Sequence, residues 1–259
     1  MGMSRSSPLV AALLAVAALP AHAAQCKAAS GPGTRTLVEL YTSEGCSSCP
    51  PADRWLSGFA HGKADPRVVP IEYHVDYWDY IGWKDPFADA RYTRRQRDFA
   101  KAVGARFVYT PQVVVGGRDV PDWRSESDFS ATVSRIEARR ARAKLDIDAA
   151  IAQDGAIRGV VEAKLAAGTP VHDLELVVVA RQDGLASRVT RGENRGESLA
   201  HDFVARDMAT LAITEPASRF PFEFRPRADW VPARMSLAAY VQDRATGEVL
   251  QAVETGICR

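Results

Sequence analysis

Two cysteines three residues apart, Cys46-Ser47-Ser48-Cys49, constrain this chain more than any other feature of it. They follow a short β-branched and apolar run, Thr36-Leu37-Val38-Glu39-Leu40-Tyr41, and a turn from Thr42 to Gly45. A helical stretch from Pro50 to about Ala60 comes next. Pro50 and Pro51 suit the start of a helix, where amides have no intrahelical partner to lose. The segment therefore reads as strand, turn and helix, with the dithiol at the mouth of the helix. Cys46 at that place gains from free N–H groups and the helix dipole, which stabilise a thiolate and lower its pKa. Cys49, one turn later and more buried, is set to attack a mixed disulfide on Cys46, the two-step exchange of a redox dithiol.

A zinc half-site and an inert bridge use the same cysteine spacing. Zinc wants two further soft ligands, whereas Cys26 and Cys258 lie at the ends of the chain and only four histidines follow residue 23. The strand–turn–helix setting favours redox chemistry over both alternatives. A second feature adds to it. Tyr109-Thr110-Pro111-Gln112 interrupts the strand expected over Val108 to Val115. Proline cannot donate to a ladder. A cis proline there leaves the preceding backbone free to pair with an incoming peptide, so Thr110 and Pro111 are candidate substrate-aligning residues. An edge-strand proline without a role is the plain alternative.

Between Thr36 and Lys144 strand-like and helix-like segments alternate. Val68 to Val75 reads as a strand, and Phe87 to Val103 and Ser127 to Lys144 as helices, the last capped by Ser125 or Ser127. That alternation predicts an α/β layer structure over 36–144. From 145 to 259 short strands follow one another, several separated by the turn signals Asp154-Gly155, Asp183-Gly184 and Thr246-Gly247. They predict an all-β sandwich of immunoglobulin type. Gly192-Glu193-Asn194-Arg195-Gly196 reads as a loop whose turn chemistry accounts for it, with a place at the interface of the two halves as the alternative. The arginines of the two later helices read as solvated faces.

The N-terminus has a different role. Arg5 precedes eleven uninterrupted apolar residues, Leu9 to Leu19, then Pro20 and Ala21-His22-Ala23. Eleven are too few to span a bilayer as a helix, and the pattern is that of a signal peptide over 1–23, followed by a linker over 24–35. The expected location is therefore periplasmic or secreted. Across the chain, 33 Lys and Arg balance 32 Asp and Glu, which argues against a nucleic-acid partner. In an oxidising compartment Cys26 and Cys258 are expected to form a structural disulfide, contributing roughly 5 kcal/mol at most in the chain-entropy model.

Strand, Cys-x-x-Cys, helix, then Thr-Pro before a strand and a Gly-rich turn resembles the thioredoxin superfamily. More closely, Leu40-Tyr41-Thr42-Ser43-Glu44-Gly45-Cys46-Ser47-Ser48-Cys49-Pro50, His74-Val75-Asp76-Tyr77-Trp78-Asp79, Tyr109-Thr110-Pro111-Gln112 and Gly192-Glu193-Asn194 resemble the secreted thioredoxin-like proteins of domain of unknown function family 1223. The resemblance runs from about residue 36 to about 255. It implies a thioredoxin-like domain with Cys46 and Cys49 as the redox pair and Pro111 as the cis proline, and it implies little about substrate. Ser-Ser replaces the Gly-Pro of thioredoxin between the cysteines, which bears on the redox potential.

Tyr73, Tyr77, Trp78, Tyr80 and Trp83 place five aromatics in eleven residues. Packing of an inserted loop explains them; the functional alternative is an apolar collar beside Cys46, with Tyr77, Trp78 and Trp83 facing a partner protein or peptide. Glu44, His74 and Asp76 are the candidate proton acceptors for Cys49. Three functions follow. The leading expectation is an exported thiol–disulfide oxidoreductase that needs no organic cofactor. Its substrate is a disulfide- or dithiol-containing protein, and its redox partner another dithiol protein, a membrane one included. The second is a Cu(I)-binding or copper-delivery protein using Cys46, Cys49 and His74, by likeness to thioredoxin-superfamily copper carriers. The third is a non-catalytic interaction module.

Overall fold

The computed structural model describes residues 26–258, so the signal peptide expected over 1–23 lies outside the described residues. The elements in chain order are β1 (Cys26–Ala29), β2 (Thr36–Thr42), α1 (Pro50–Ser57), β3 (Val68–His74), α2 (Ala90–Ala102), β4 (Gln112–Val115), β5 (Arg118–Asp119), α3 (Glu126–Glu137), β6 (Ala143–Ile151), β7 (Ile157–Leu165), β8 (Leu174–Gln182), β9 (Leu185–Arg188), β10 (Ser198–His201), β11 (Val204–Ala212), β12 (Ala217–Phe224), β13 (Met235–Asp243) and β14 (Val249–Gly256). The protein is mostly β, with few helices and several sheets.

The largest sheet has eight strands in the order β14-β13-β8-β11-β3-β2-β4-β5. A four-stranded sheet, β1-β6-β7-β12, and a two-stranded one, β10-β9, complete the set. β2 and β3 are parallel neighbours and buried along their whole length, as central strands covered on both faces must be. On one face Val38, Leu40, Val113 and Val115 pack against Ala52 and Leu56 of α1 and Phe129, Val133 and Ile136 of α3. On the other, Leu37, Tyr41, Ile71 and Tyr73 pack with Tyr92 and Phe99 of α2 and with Val177, Ala238 and Tyr240. Further along the sheet, Leu176, Val178, Leu237 and Ala239 face Leu145, Ile147, Val161 and Phe222 of the four-stranded sheet.

Strands are shared differently from the two-unit division at Lys144 that the sequence suggests. β3 pairs in parallel with β11 at Val204↔Glu72, and Glu72 N donates to Phe203 O at 2.9 Å. One sheet therefore runs through both halves. The physical reason is that β3 would otherwise present an unpaired edge, and β11 covers its end. The expected 24–35 linker also begins as a strand: β1 pairs antiparallel with β6, Cys26 opposite Ala149. Cys26 and Cys258 are disulfide-bonded as expected. Because Cys258 bridges to Ala150 of β6, the bond closes the edge of the four-stranded sheet and does not tie one half to the other. The helix expected to reach Lys144 stops at Glu137, and Ala143 already opens β6.

Arg95 of α2 is not on a solvated face. Its guanidinium donates to Glu39 Oε1 at 2.8 Å and Gln242 Oε1 at 2.6 Å and lies 5.0 Å over the Tyr240 ring, tying β2 to β13 beneath the helix. A second buried cation, Arg181 of β8, donates to Pro70 O on β3 and to Glu254 Oε2 at 2.8 Å; Arg35 reaches Glu254 Oε1 at 2.6 Å. Burial pushes the Glu254 carboxyl up, but the charges and hydrogen bonds of Arg181 and Arg35 outweigh it and hold it below the ordinary glutamate value. A depressed folded pKa stabilises the fold above the unfolded pKa, about 4.3, and this contribution is lost as the pH falls through the folded value. Glu254→Gln should therefore lower stability near pH 7 by about 2 kcal/mol, and the variant should lose less stability than the parent on acidification below about pH 4, both read from urea midpoints.

Candidate functional site

β2 ends at Thr42 and the chain turns through Ser43–Gly45 into the dithiol. Gly45 is closely packed: a Cβ there would lie 3.2 Å from both Ile81 Cδ1 and Trp78 Cβ, so those side chains would have to give by a few tenths of an ångström. Cys46 and Cys49 are disulfide-bonded to each other. Cys49, not Cys46, is the N-cap of α1, and Cys46 sits one turn ahead of it, with Cys49 N donating to Cys46 O at 3.2 Å. Pro50 and Pro51 remove two amides from the first turn, so the dipole acts on Cys46 with fewer free donors than the sequence suggests. Among the described residues the side chain hydrogen-bonded to a sulfur is Ser48, its Oγ 3.3 Å from Cys46 Sγ.

Thr110-Pro111 is a cis peptide immediately before β4. Trp78 connects it to the dithiol turn, because its Cβ packs on Gly45 while Nε1 donates to Thr110 Oγ1 at 2.7 Å. Trp83 Nε1 donates to Glu44 Oε2 at 2.9 Å. These two indoles are half-buried fixtures of the turn, and Tyr77 packs with the α2 core; the exposed aromatic of the segment is Tyr80. Packing thus accounts for Tyr77, Trp78 and Trp83 as they stand.

The hydrogen bonds of the candidate proton acceptors go to groups other than the sulfurs. Asp76 accepts from Thr93 Oγ1 of α2. Glu44 and His74 belong to a buried row of charges behind the dithiol. Asp85 Oδ2 lies 2.7 Å from His74 Nδ1 and His74 Nε2 lies 2.8 Å from Glu72 Oε1. His201 Nδ1 lies 2.7 Å from the same Glu72 oxygen, and His201 Nε2 is 3.3 Å from Glu44 Oε1, near enough for ionic attraction but not aligned as a hydrogen bond. Ser187 donates to Glu44 Oε1, and Asp85 also accepts from Glu44 N at 2.8 Å. Burial alone would push His74 down, yet the Asp85 charge and the flanking hydrogen bonds raise it to about 10; His201 is raised in the same sense, chiefly by Glu72. Glu72 and Asp85, pushed up by burial, end below the ordinary carboxylate values because His201 and His74 face them. Asp53 of α1 differs. Burial and the Glu72 charge raise it to about 7, against the Thr42 hydroxyl at 2.6 Å.

The donor set envisaged for Cu(I) does not converge. The His, Cys and acid donors that meet among the described residues are Glu72, His74 and His201, without a cysteine, and Cys46 and Cys49 are bonded to each other.

Residues 37–242 match the family described as protein of unknown function (DUF1223). The chain belongs to that family. A crystal structure of the Agrobacterium tumefaciens protein AGR_C_4864 is similar to this DUF1223 chain with 26% identity and a TM-score of 0.60, over 87% of this chain and 95% of that one. A domain of the outer membrane lipoprotein Omp28 from Porphyromonas gingivalis aligns with 17% identity and a TM-score of 0.28, over 45% of this chain and 88% of that one. No curated protein matches. No helix among the described residues is long and apolar enough to cross a membrane.

In this DUF1223 protein the dithiol is covered by the loop between β9 and β10, which the sequence marks only as turn chemistry. Asn194 Nδ2 donates to Glu44 O at 2.8 Å and Cys46 O at 2.9 Å. Glu193 Oε2 accepts from Ser47 N at 3.0 Å and Ser47 Oγ at 2.7 Å. Gly192, at a φ of 76°, sits beside Ile81, whose Cδ1 also lies against Gly45. Cys46 is in consequence 1% exposed and Cys49 0%, where the sequence suggests a reachable Cys46 sulfur. Asn194→Ala removes two hydrogen bonds of about 1 kcal/mol each and should speed reduction of the Cys46–Cys49 disulfide by a small thiol about tenfold or more, measured by thiol alkylation against time.

Proposed function

We propose that this protein is an exported thiol–disulfide oxidoreductase acting through Cys46 and Cys49. The observation that carries this reading is the disulfide between two cysteines at the N-terminal end of α1, directly after a central parallel strand. The order β3-β2-β4-β5, with α1 and α3 on one face and α2 on the other, supports a thioredoxin-like arrangement. The face-to-face packing of β8, β13 and β14 on the four-stranded sheet supports a sandwich beside it. Two disulfides and the apolar leader fit an oxidising, extracytoplasmic compartment.

The exchange is reversible and balances without a cofactor. A substrate thiolate attacks Cys46 Sγ, the Cys46–Cys49 bond breaks, and Cys49 leaves as a thiolate that takes up a proton. A second substrate thiolate then attacks the substrate sulfur of the mixed disulfide and releases Cys46. The substrate loses two electrons and two protons, and the Cys46/Cys49 pair gains them. The reverse sequence reduces a substrate disulfide, and a partner dithiol or disulfide protein resets the pair. On the protein side, the Ser48 hydroxyl 3.3 Å from Cys46 Sγ supports donation to a Cys46 thiolate, and the cis Thr110-Pro111 peptide, tied to the turn by Trp78, supports a role in aligning a substrate backbone.

Cys46→Ser should abolish exchange with a peptide disulfide, and Cys49→Ser should accumulate a mixed disulfide on Cys46, seen by non-reducing mass spectrometry. Full activity in Cys46→Ser would refute the mechanism.

A further inference from the structure

We propose that Glu72, His74 and His201 form a buried site for a divalent transition-metal ion of the zinc class, distinct from the dithiol. One donor atom from each residue lies within 4.8 Å of the other two, and His74 Nε2 and His201 Nδ1 both meet Glu72 Oε1, at 2.8 and 2.7 Å. All three residues are fully buried, and they come from both halves of the chain: Glu72 and His74 from β3, His201 from the end of β10.

Three features mark this as more than a row of ion pairs. First, His74 has a carboxylate behind it, Asp85 Oδ2 at 2.7 Å from Nδ1, and Glu44 lies 3.3 Å from His201 Nε2, within reach of ionic attraction. Metal-bound histidines keep such an outer partner, which fixes the tautomer and aims the other nitrogen at the ion. Second, two buried carboxylate oxygens, Glu72 Oε2 and Asp53 Oδ2, have no hydrogen-bond partner. Leaving a buried carboxylate oxygen unpaired is costly, and a cation removes that cost. The Asp53 carboxyl is hydrogen-bonded through Oδ1 to the Thr42 hydroxyl at 2.6 Å and stands outside the three-donor group, so the fourth position is left to water. Third, four carboxyls, of Glu44, Asp53, Glu72 and Asp85, surround two imidazoles in a space closed to bulk solvent.

The chemistry of the donors selects the ion. Two imidazoles with carboxylate oxygens suit Zn²⁺ or Co²⁺, whereas Cu(I) prefers sulfur. Tetrahedral donors at about 2.0–2.1 Å from an ion stand about 3.3 Å apart. The present contacts of 2.7 and 2.8 Å to Glu72 Oε1 need spread only by about half an ångström, as the carboxylate turns to offer Oε2. Because the site is sealed, the ion enters as the chain folds and leaves slowly.

The test uses the full mature chain, refolded with Zn²⁺ or with Co²⁺ and then desalted. The expected result is about one retained equivalent of metal, reduced at least tenfold in His201→Ala and in Glu72→Gln. The cobalt form should show the d–d bands of a four-coordinate nitrogen–oxygen site without a thiolate-to-cobalt band, and the same spectrum in a Cys46→Ser/Cys49→Ser variant. That last arm separates this inference from the proposed redox function, which the double variant abolishes. Where the ligand variants do not fold, the cobalt spectrum of the parent decides. Retention below about a tenth of an equivalent by the parent, a thiolate band lost with the cysteines, or full retention by a folded His201→Ala variant each overturns the proposal.

Discussion

The short parallel contact between β3 and β11, Val204 opposite Glu72 with Glu72 N bonded to Phe203 O, is the constraint on which the rest of the site depends. It completes the end of β3, and it fixes where the preceding segment, β9, its loop and β10, must lie. That segment then has one place to go, over the N-terminal end of α1. Ser187, Glu193, Asn194 and His201 reach Glu44, Ser47, Cys46 and Glu72 across more than a hundred residues of sequence because one strand end is shared. The Cys26–Cys258 bond acts elsewhere, closing the far sheet around β6, so it holds the sandwich edge and leaves the seam to hydrogen bonding and apolar packing.

Strand parity explains why charge accumulates behind the dithiol. Residues 72 and 74 are two apart on β3, so Glu72 and His74 project from the same face, and that is the face α1 covers. Burying either alone would cost several kcal/mol. Alternation removes most of that cost, since each imidazole stands between acids and Glu72 accepts from two imidazoles. Asp53 breaks the alternation. Burial, and after it the like charge of Glu72, displaces its carboxyl towards the neutral, protonated form.

What the sequence made legible was local. The dithiol turn, the helix after it, the proline before β4 and the Ser125 cap of α3 follow from neighbours a few residues apart, and each is present. The Cys26–Cys258 pairing followed from compartment and count. Long-range pairings were not legible, because period-two alternation identifies a strand without saying which strand lies beside it. The shared sheet, the strand nature of Cys26–Ala29 and the burial of Arg95 were missed for that reason. Glu72 did leave a signal: an acid inside the otherwise apolar run Val68 to Val75, two residues before a histidine, is a poor fit to a core strand unless cations meet it. His201, Asp53 and Asn194 left none, since a lone histidine, an aspartate in a first helical turn and an asparagine in a glycine-flanked loop are each ordinary where they stand.

The burial of Cys46 and a role in exchange are compatible on energetic grounds. Asn194 and Glu193 hold the loop by four hydrogen bonds to the dithiol turn, two of them, from Ser47 to Glu193, exposed to water. At about 1 kcal/mol net for each, opening costs about 4 kcal/mol, which leaves roughly one molecule in a thousand open at equilibrium. Loop motions are fast compared with thiol–disulfide exchange, so such a population slows attack without preventing it. A partner that supplies its own donors to Glu193, or its own acceptor to Asn194, replaces those bonds as it displaces the loop and recovers much of the loss. A small thiol supplies neither. Under the proposed function, cover of this kind would discriminate between reactants by the hydrogen bonds they bring, and residues 192–196 would then bear on selectivity as much as the two serines between the cysteines.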